Sequence, residues 1–187
     1  RDSNDCPLYY ALGIEGVTIK PSPQWLVDRL AGAGQESINN VVDISNYVML
    51  DMGQPTHIFD ANILGDQGIT VRLAQKNESL ELLGGERAAL EEQDIVIANR
   101  KAPLALAGIK GAQRSGVSQE TSSIVIEAAH FSRQRVYRAS SRLHIVSESA
   151  KRFGAGLATE FALLGLHRLT QLIVELAGGN IAGVGIH

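Results

Sequence analysis

Residues 69–127 read ITVRLAQKNESLELLGGERAALEEQDIVIANRKAPLALAGIKGAQRSGVSQETSSIVIE. Short apolar runs at 69–73, 80–83, 95–98, 104–106 and 124–127 are separated by Gly, Asn, Asp or Pro, the punctuation of β-strands joined by turns. No helix-length segment lies between most of them, so the crossovers that parallel pairing demands are missing. The stretch predicts a mainly antiparallel sheet forming a barrel or a sandwich.

Helices are expected on both sides, which makes the fold class α+β. Upstream, residues 1–20 read as an extended start, with 9–19 suited to one or two strands. Ser22 as N-cap and Pro23 at the first helical position then begin a helix; Trp25, Leu26 and Leu30 give its apolar stripe, and Gly32 and Gly34 stop it. A second helix is predicted over 38–52, where Val41, Ile44, Val48 and Met52 recur at helical spacing before Gly53. Gly53 and Pro55 then predict a loop, which would hold His57. Downstream, helical periodicity returns over 132–143 and 158–177, closing at Gly178-Gly179 before a short strand at 181–186. With no repeat and no linker composition, residues 1–187 are expected to form one region of two interlocked subdomains whose boundary the sequence does not resolve.

A chain of 187 residues can bury roughly 70% of its unfolded surface and needs no covalent staples. The single cysteine, Cys6, excludes an internal disulfide and any multi-cysteine zinc site, and fits a reducing compartment. No signal peptide and no apolar run long enough for a membrane span is evident, so a soluble, cytoplasmic protein is expected. The net charge of −3 offers no global attraction for a polyanion. Arg133, Arg135, Arg138, Arg142, Lys151 and Arg152, however, share a stretch whose one acid is Glu148. That stretch reads equally as a local basic face and as ordinary helix surface.

Generic catalytic motifs fail one by one. His57, His130, His144, His167 and His187 show no HxxxH spacing and no carboxylate cage, so no metal site is expected. Ser115, in QRSG, lacks the leading glycine of a nucleophile elbow. Gly183-Val184-Gly185 follows a helix and has no third glycine, so it is no dinucleotide fingerprint. Asn39, Asn40 and Asn46 accompany one apolar stripe although asparagine is a poor helix former. They read as caps and a surface residue, or as polar groups wanted at a site. His57 reads as a loop histidine satisfied by backbone, or as a functional one. Glu127, after Ile124-Val125-Ile126, reads as a solvated strand-end glutamate or as an acid projecting from a hydrophobic wall.

Three segments carry a resemblance: INNVVDISNYVMLDMGQPTHIFD (38–60), LALAGIKGAQRSGVS (104–118) and IVIEAAHFS (124–132). Together they resemble the β subunit of bacterial-type phenylalanyl-tRNA synthetase, in its editing region, the third and fourth structural domains. The landmarks keep the family's order over nearly the whole chain, from CPLYYALGIEGVTIKPSPQWLVDRL near the start to LIVELAGG near the end.

The resemblance implies hydrolysis of tyrosyl-tRNA(Phe) made in error. Tyrosine is phenylalanine plus one hydroxyl, and an apolar pocket rejects such an isostere only about a hundredfold, whereas a site built to hydrogen-bond the hydroxyl disfavours the analogue lacking it by roughly 10⁴ or more. By resemblance, Glu127 is the glutamate that reads the phenolic hydroxyl and His57 the editing-site histidine. Asn46 is a polar lining residue, Gly111 the glycine that leaves room for substrate, and Ser147 and Ser149 the opposite wall. Water would attack the ester, positioned by His57 or a ribose hydroxyl, with backbone N–H groups near Gly111 stabilising the oxyanion. The implied partners are tRNA(Phe), the synthetase α subunit and the rest of the β subunit in an α2β2 assembly, with neither membrane nor DNA involved. No cofactor is expected in this segment; ATP and Mg²⁺ serve the ligase reaction of the whole synthetase.

The chain departs from the family after Arg152-Phe153, where Gly154-Ala155-Gly156 replaces a charged pair, at Lys151, where a small polar residue is usual, and at Ala112, where a second glycine is common. These departures leave open a structural or tRNA-binding module with editing lost; a stand-alone protein that clears mischarged tRNA in trans is a separate alternative.

Overall fold

The computed structural model describes residues 5–65 and 68–186; His187 and the first four residues of the extended start lie outside the described residues. Strand β1 (Leu8–Glu15) leads to helices α1 (Gln24–Gly32) and α2 (Asn40–Met52), strand β2 (Thr56–Asp60) and the short helix α3 (Ala61–Leu64). The strand-rich middle holds β3 (Thr70–Leu73), β4 (Ser79–Glu81), β5 (Arg87–Ala89), β6 (Ile95–Ala98), β7 (Pro103–Leu106) and β8 (Lys110–Gly111), followed by β9 (Ser123–His130). Helices α4 (Arg133–Leu143), α5 (Glu148–Ala155) and α6 (Glu160–Ala177) and the strand β10 (Asn180–Ile186) complete it.

Every strand pairing among the described residues is antiparallel. The order β10-β1-β9-β2 forms one four-stranded sheet, β3-β6-β7-β8 a second, and β4-β5 a two-stranded ribbon. These sheets are open, so of the two expected arrangements the sandwich is the one adopted. The first sheet is the middle layer, and its period-two alternation sorts two hydrophobic clusters. Leu12, Ile14, Ile58, Ile124, Ile126 and Ala128 face α1, α2 and α6. Tyr9, Phe59 and Ala129 face the other way, onto Val96, Leu104 and Leu106 of the second sheet and Val136 and Phe153 of α4 and α5.

The asparagine-rich helix is built around buried polar clamps. Asn39 caps α2 by accepting from Val42 N (3.0 Å). Asn40, fully buried, is a clamp instead of a cap: its Nδ2 donates to Thr18 O (3.0 Å) and Leu176 O (3.5 Å), and its Oδ1 accepts from Lys20 N (3.0 Å). Buried Asp43 accepts from Ser22 Oγ, Ser37 Oγ and Ile38 N. Ser22 therefore does not cap the first helix as expected; Pro23 occupies that position with no side-chain cap bond. Trp25 is not in the core stripe either. It is 43% exposed and stands edge-on to Tyr47. We predict that Asn40→Ala lowers stability by about 1–3 kcal/mol, the loss expected when buried backbone groups are orphaned. A lower urea midpoint at unchanged m would record it, and an unchanged midpoint would refute the clamp.

Candidate functional site

A cleft of about 470 Å³ opens between the inner face of the middle sheet, the β7–β8 turn and the start of α5. His57 reaches it from a strand, which corrects the loop expectation. Gly53 ends α2 in the left-handed conformation (φ 78°) and returns its N–H to Met49 O at 3.0 Å, as a C-terminal glycine cap does. The buried Gln54 amide then donates to Pro55 O (2.9 Å) and Ala129 O (3.1 Å), fastening the chain to β9. Gly165 of α6 makes room for this side chain, since a Cβ there would lie 2.7 Å from Gln54 Cγ. From that anchor β2 pairs with β9 so that His57 stands opposite Glu127, and such cross-strand neighbours are in side-chain contact range.

Glu127 is 4% exposed and lies inside β9, which continues to His130; the solvated strand-end reading is overturned. Its Oε2 accepts a hydrogen bond from Tyr9 Oη at 3.1 Å. Burial raises its carboxyl to about 8 against the opposing effect of that bond, so the acid is largely neutral at pH 7. Burial and the adjoining Glu127 in turn push the Tyr9 hydroxyl well above its ordinary value.

His57 as a residue is only half-buried, yet its Nε2 is enclosed and has no hydrogen-bond partner among the described residues. Burial lowers the imidazole to about 4, leaving it neutral and able to act as a base at physiological pH. The ring stands edge-on to Phe59, centroids 4.5 Å apart. Its Cε1–Nε2 side meets Gly111, where a Cβ would lie 2.5 Å from Cε1 and 2.9 Å from Nε2. The glycine thus makes room for His57 itself. Tyr9 thus bonds Glu127, Glu127 stands opposite His57, and His57 meets Gly111 of the second sheet.

Asn46 lines the cleft from α2, and Ser147 and Ser149 line it from α5. The two serine hydroxyls are committed to backbone: Ser147 Oγ donates to Ile109 O (2.8 Å) and caps α5 by accepting from Ala150 N (3.0 Å), and Ser149 Oγ donates to Gly108 O (2.9 Å). They tie α5 to a tight turn in which Gly108 adopts φ 69° and a Cβ would meet Phe153 and Val136 at 3.0 Å. The departures after Phe153 leave this wall folded: α5 runs to Ala155, and Arg133 Nε donates to Gly154 O at 2.8 Å.

Tyr9, Phe131 and Phe153 belong to this neighbourhood and were not singled out from sequence. A buried tyrosine hydroxyl needs a partner, but no local signal connects Tyr9 to an acid 118 residues away. Cys6, near the same carboxyl, has its thiol raised to about 12 by burial and by Glu127, so it is no nucleophile at neutral pH. The basic stretch is largely neutralised: Arg135 pairs with Asp5, and Arg142 with Asp94 and Glu91, acids far off in sequence, while Lys151 and Arg152 share the local Glu148. Among the described residues no three His, Cys, Asp or Glu side chains cluster as metal ligands would, and no helix is long and apolar enough to cross a membrane.

In this α+β domain the cleft sets polar groups such as Asn46, Lys110 and Glu127 beside apolar ones such as Leu106 and Phe131, and its volume is that of a small-ligand pocket. The chain belongs to the B3/4 domain family, whose model it matches over residues 5–178. It is 44% identical over 182 residues to the phenylalanine–tRNA ligase beta subunit of Geobacter metallireducens, covering 97% of this chain and 23% of that protein. To the subunit of the same name from Staphylococcus aureus strain N315 it is 45% identical over 181 residues, with the same coverage. The chain therefore spans about a quarter of the length of these relatives. The crystal structure of an N-terminal fragment of the phenylalanyl-tRNA synthetase beta-subunit from Pyrococcus horikoshii superimposes with a TM-score of 0.62 at 16% identity, covering 96% of this chain and 47% of that one, a likeness of fold.

Proposed function

We propose that this chain is the editing region of a phenylalanine–tRNA ligase β subunit and hydrolyses the ester of tyrosyl-tRNA(Phe). The observation that carries the reading is Glu127, a buried carboxyl in the cleft wall, in register with a neutral histidine. A tyrosine side chain entering the cleft gives this acid a hydroxyl partner. A phenylalanine side chain buries the same acid against a C–H edge and leaves its second oxygen, the one not bonded by Tyr9, unpaired, at a cost of about 1–3 kcal/mol. Glu127 thus selects, while His57 positions water for attack on the ester carbonyl and the backbone of the Gly108–Gly111 turn stabilises the oxyanion. No covalent enzyme intermediate is needed. The partners on this reading are tRNA(Phe), the α subunit and the remainder of the β subunit, in the cytoplasm. Charge steering by this segment is weak, since most of its clustered arginines are already paired.

The test is release of tyrosine from preformed tyrosyl-tRNA(Phe) by the whole synthetase carrying this segment, with phenylalanyl-tRNA as control. Glu127→Ala is expected to lower the ratio of tyrosyl to phenylalanyl hydrolysis by about a hundredfold, and His57→Ala to slow both by about 10²–10⁴. An unchanged ratio in Glu127→Ala would sink the selecting role. If the wild-type enzyme leaves the ester intact, the segment is a structural or tRNA-binding module.

A further inference from the structure

We propose that Tyr9 is a positioning residue that holds Glu127 from behind the cleft, occupying Oε2 and presenting Oε1 to the phenolic hydroxyl of a tyrosyl ligand. The inference rests on the editing reading and adds a specificity-determining residue to it.

Glu127 lines the cleft and Tyr9 does not; Tyr9 lines a separate groove between β1, α3 and β10. The carboxyl stands between the two, and its recorded hydrogen bond among the described residues is the one from Tyr9 Oη to Oε2 at 3.1 Å. Both residues are nearly closed to solvent, at 6% and 4% exposure. The phenol ring is gripped edge-on by Phe131, centroids 6.5 Å apart, which is itself packed on Phe153 at 5.3 Å. Tyr9 is therefore a donor fixed in place before any ligand arrives.

A phenol has one proton to give, and here Oε2 receives it. The two carboxyl oxygens are thereby made unlike. When Glu127 is neutral, its own proton is favoured on Oε1, because an unprotonated Oε2 is the better acceptor for the Tyr9 hydrogen. Oε1 then offers the cleft an O–H in the neutral acid and a bare acceptor in the anion. A ligand hydroxyl can satisfy either, and the C–H edge of a phenyl ring can satisfy neither. Without the Tyr9 hydroxyl the carboxyl is free to turn about its terminal torsion, which is broad for a glutamate, and the pre-aimed oxygen is lost. A phenylalanine at position 9 would fill the same volume, so packing alone does not account for the hydroxyl. The other titratable groups around the carboxyl are Cys6 on the β1 side and His57 on β2, with Lys110, Glu148 and Lys151 lining the cleft.

The experiment is Tyr9→Phe in the whole synthetase, scored as kcat/KM for tyrosyl- and phenylalanyl-tRNA(Phe) across pH 6 to about 9, beside Glu127→Ala and the double variant. Tyr9→Phe should lower the tyrosyl to phenylalanyl ratio by about tenfold, the worth of one hydrogen bond, and leave phenylalanyl hydrolysis unchanged. The pH at which discrimination changes should move upward, since the bond from Tyr9 holds the acid of Glu127 down. The double variant should be no worse than Glu127→Ala alone. A wild-type ratio in Tyr9→Phe, while Glu127→Ala loses selectivity, overturns this inference and leaves the editing reading standing. An equal fall for both esters with a lowered Tm assigns Tyr9 to the core and also overturns it. If the wild type does not discriminate, or Glu127→Ala keeps the ratio, the editing reading and this inference fall together.

Discussion

Gly111→Ala is expected to slow ester hydrolysis by about a hundredfold or more and to lower stability by about 1–3 kcal/mol. The added methyl would sit 2.5 Å from His57 Cε1, 2.9 Å from Nε2 and 3.3 Å from Leu83 Cδ1. The ring cannot simply slide away, because Phe59 stands against it at 4.5 Å and β9 pins its strand. Two mechanisms predict the loss and they separate in the double variant. If the methyl acts by displacing His57, Gly111→Ala/His57→Ala regains most of the stability and is no slower than His57→Ala. If the methyl intrudes on ligand space, the double variant is slower than His57→Ala and the added loss appears in KM. Wild-type rate and stability in Gly111→Ala would mean that the imidazole works from another position than the one observed.

The comparison between sequence and structure turns on range. Residues 95–98 and 124–127 read as strands because unbroken apolar runs met turn residues at both ends, and both are strands. The Arg87–Ala89 and Lys110–Gly111 strands carry no such signal; pairing with Ser79–Glu81 and Pro103–Leu106 makes them extended. THIFD illustrates a local signal overridden. Gly53 and Pro55 do mark the end of a helix, but the five residues from Thr56 are captured by β9, whose edge would otherwise be open. The site shows the same division. Glu127 and His57 entered as residue types with two readings each, and the register that sets them opposite one another is a tertiary fact. Ser147 and Ser149 stand at the wall that resemblance implied, but their hydroxyls hold the turn. Nothing in the chain near Glu127 foreshadows Tyr9.

His57 and Glu127 also leave opposite marks on stability as pH changes. Glu127 is raised from an ordinary 4.5 to about 8 in the folded protein. Between those values the folded state holds a proton that the unfolded state has released, so stability is full below 4.5 and falls as pH rises toward about 8. His57 is lowered from 6.5 to about 4. There the unfolded state holds the extra proton, so stability is full above 6.5 and is lost as pH falls toward about 4. Between 4.5 and 6.5 the two slopes oppose each other and cancel. Above 6.5 only Glu127 still changes, and stability should decline by about 1.4 kcal/mol per pH unit until it levels near pH 8. Urea titrations of wild type and Glu127→Gln test this in the difference between the two profiles, where all other titrating groups drop out. The variant should lack the decline above 6.5 and, freed of the cancelling slope, should lose stability steadily on acidification below it. A flat difference from pH 6.5 to 8 would mean that Glu127 is already ionised at neutral pH. The cleft would then meet a tyrosine hydroxyl with a carboxylate in place of a neutral acid, and the discrimination against phenylalanine would be larger, because an unpaired buried charge costs more than an unpaired neutral group.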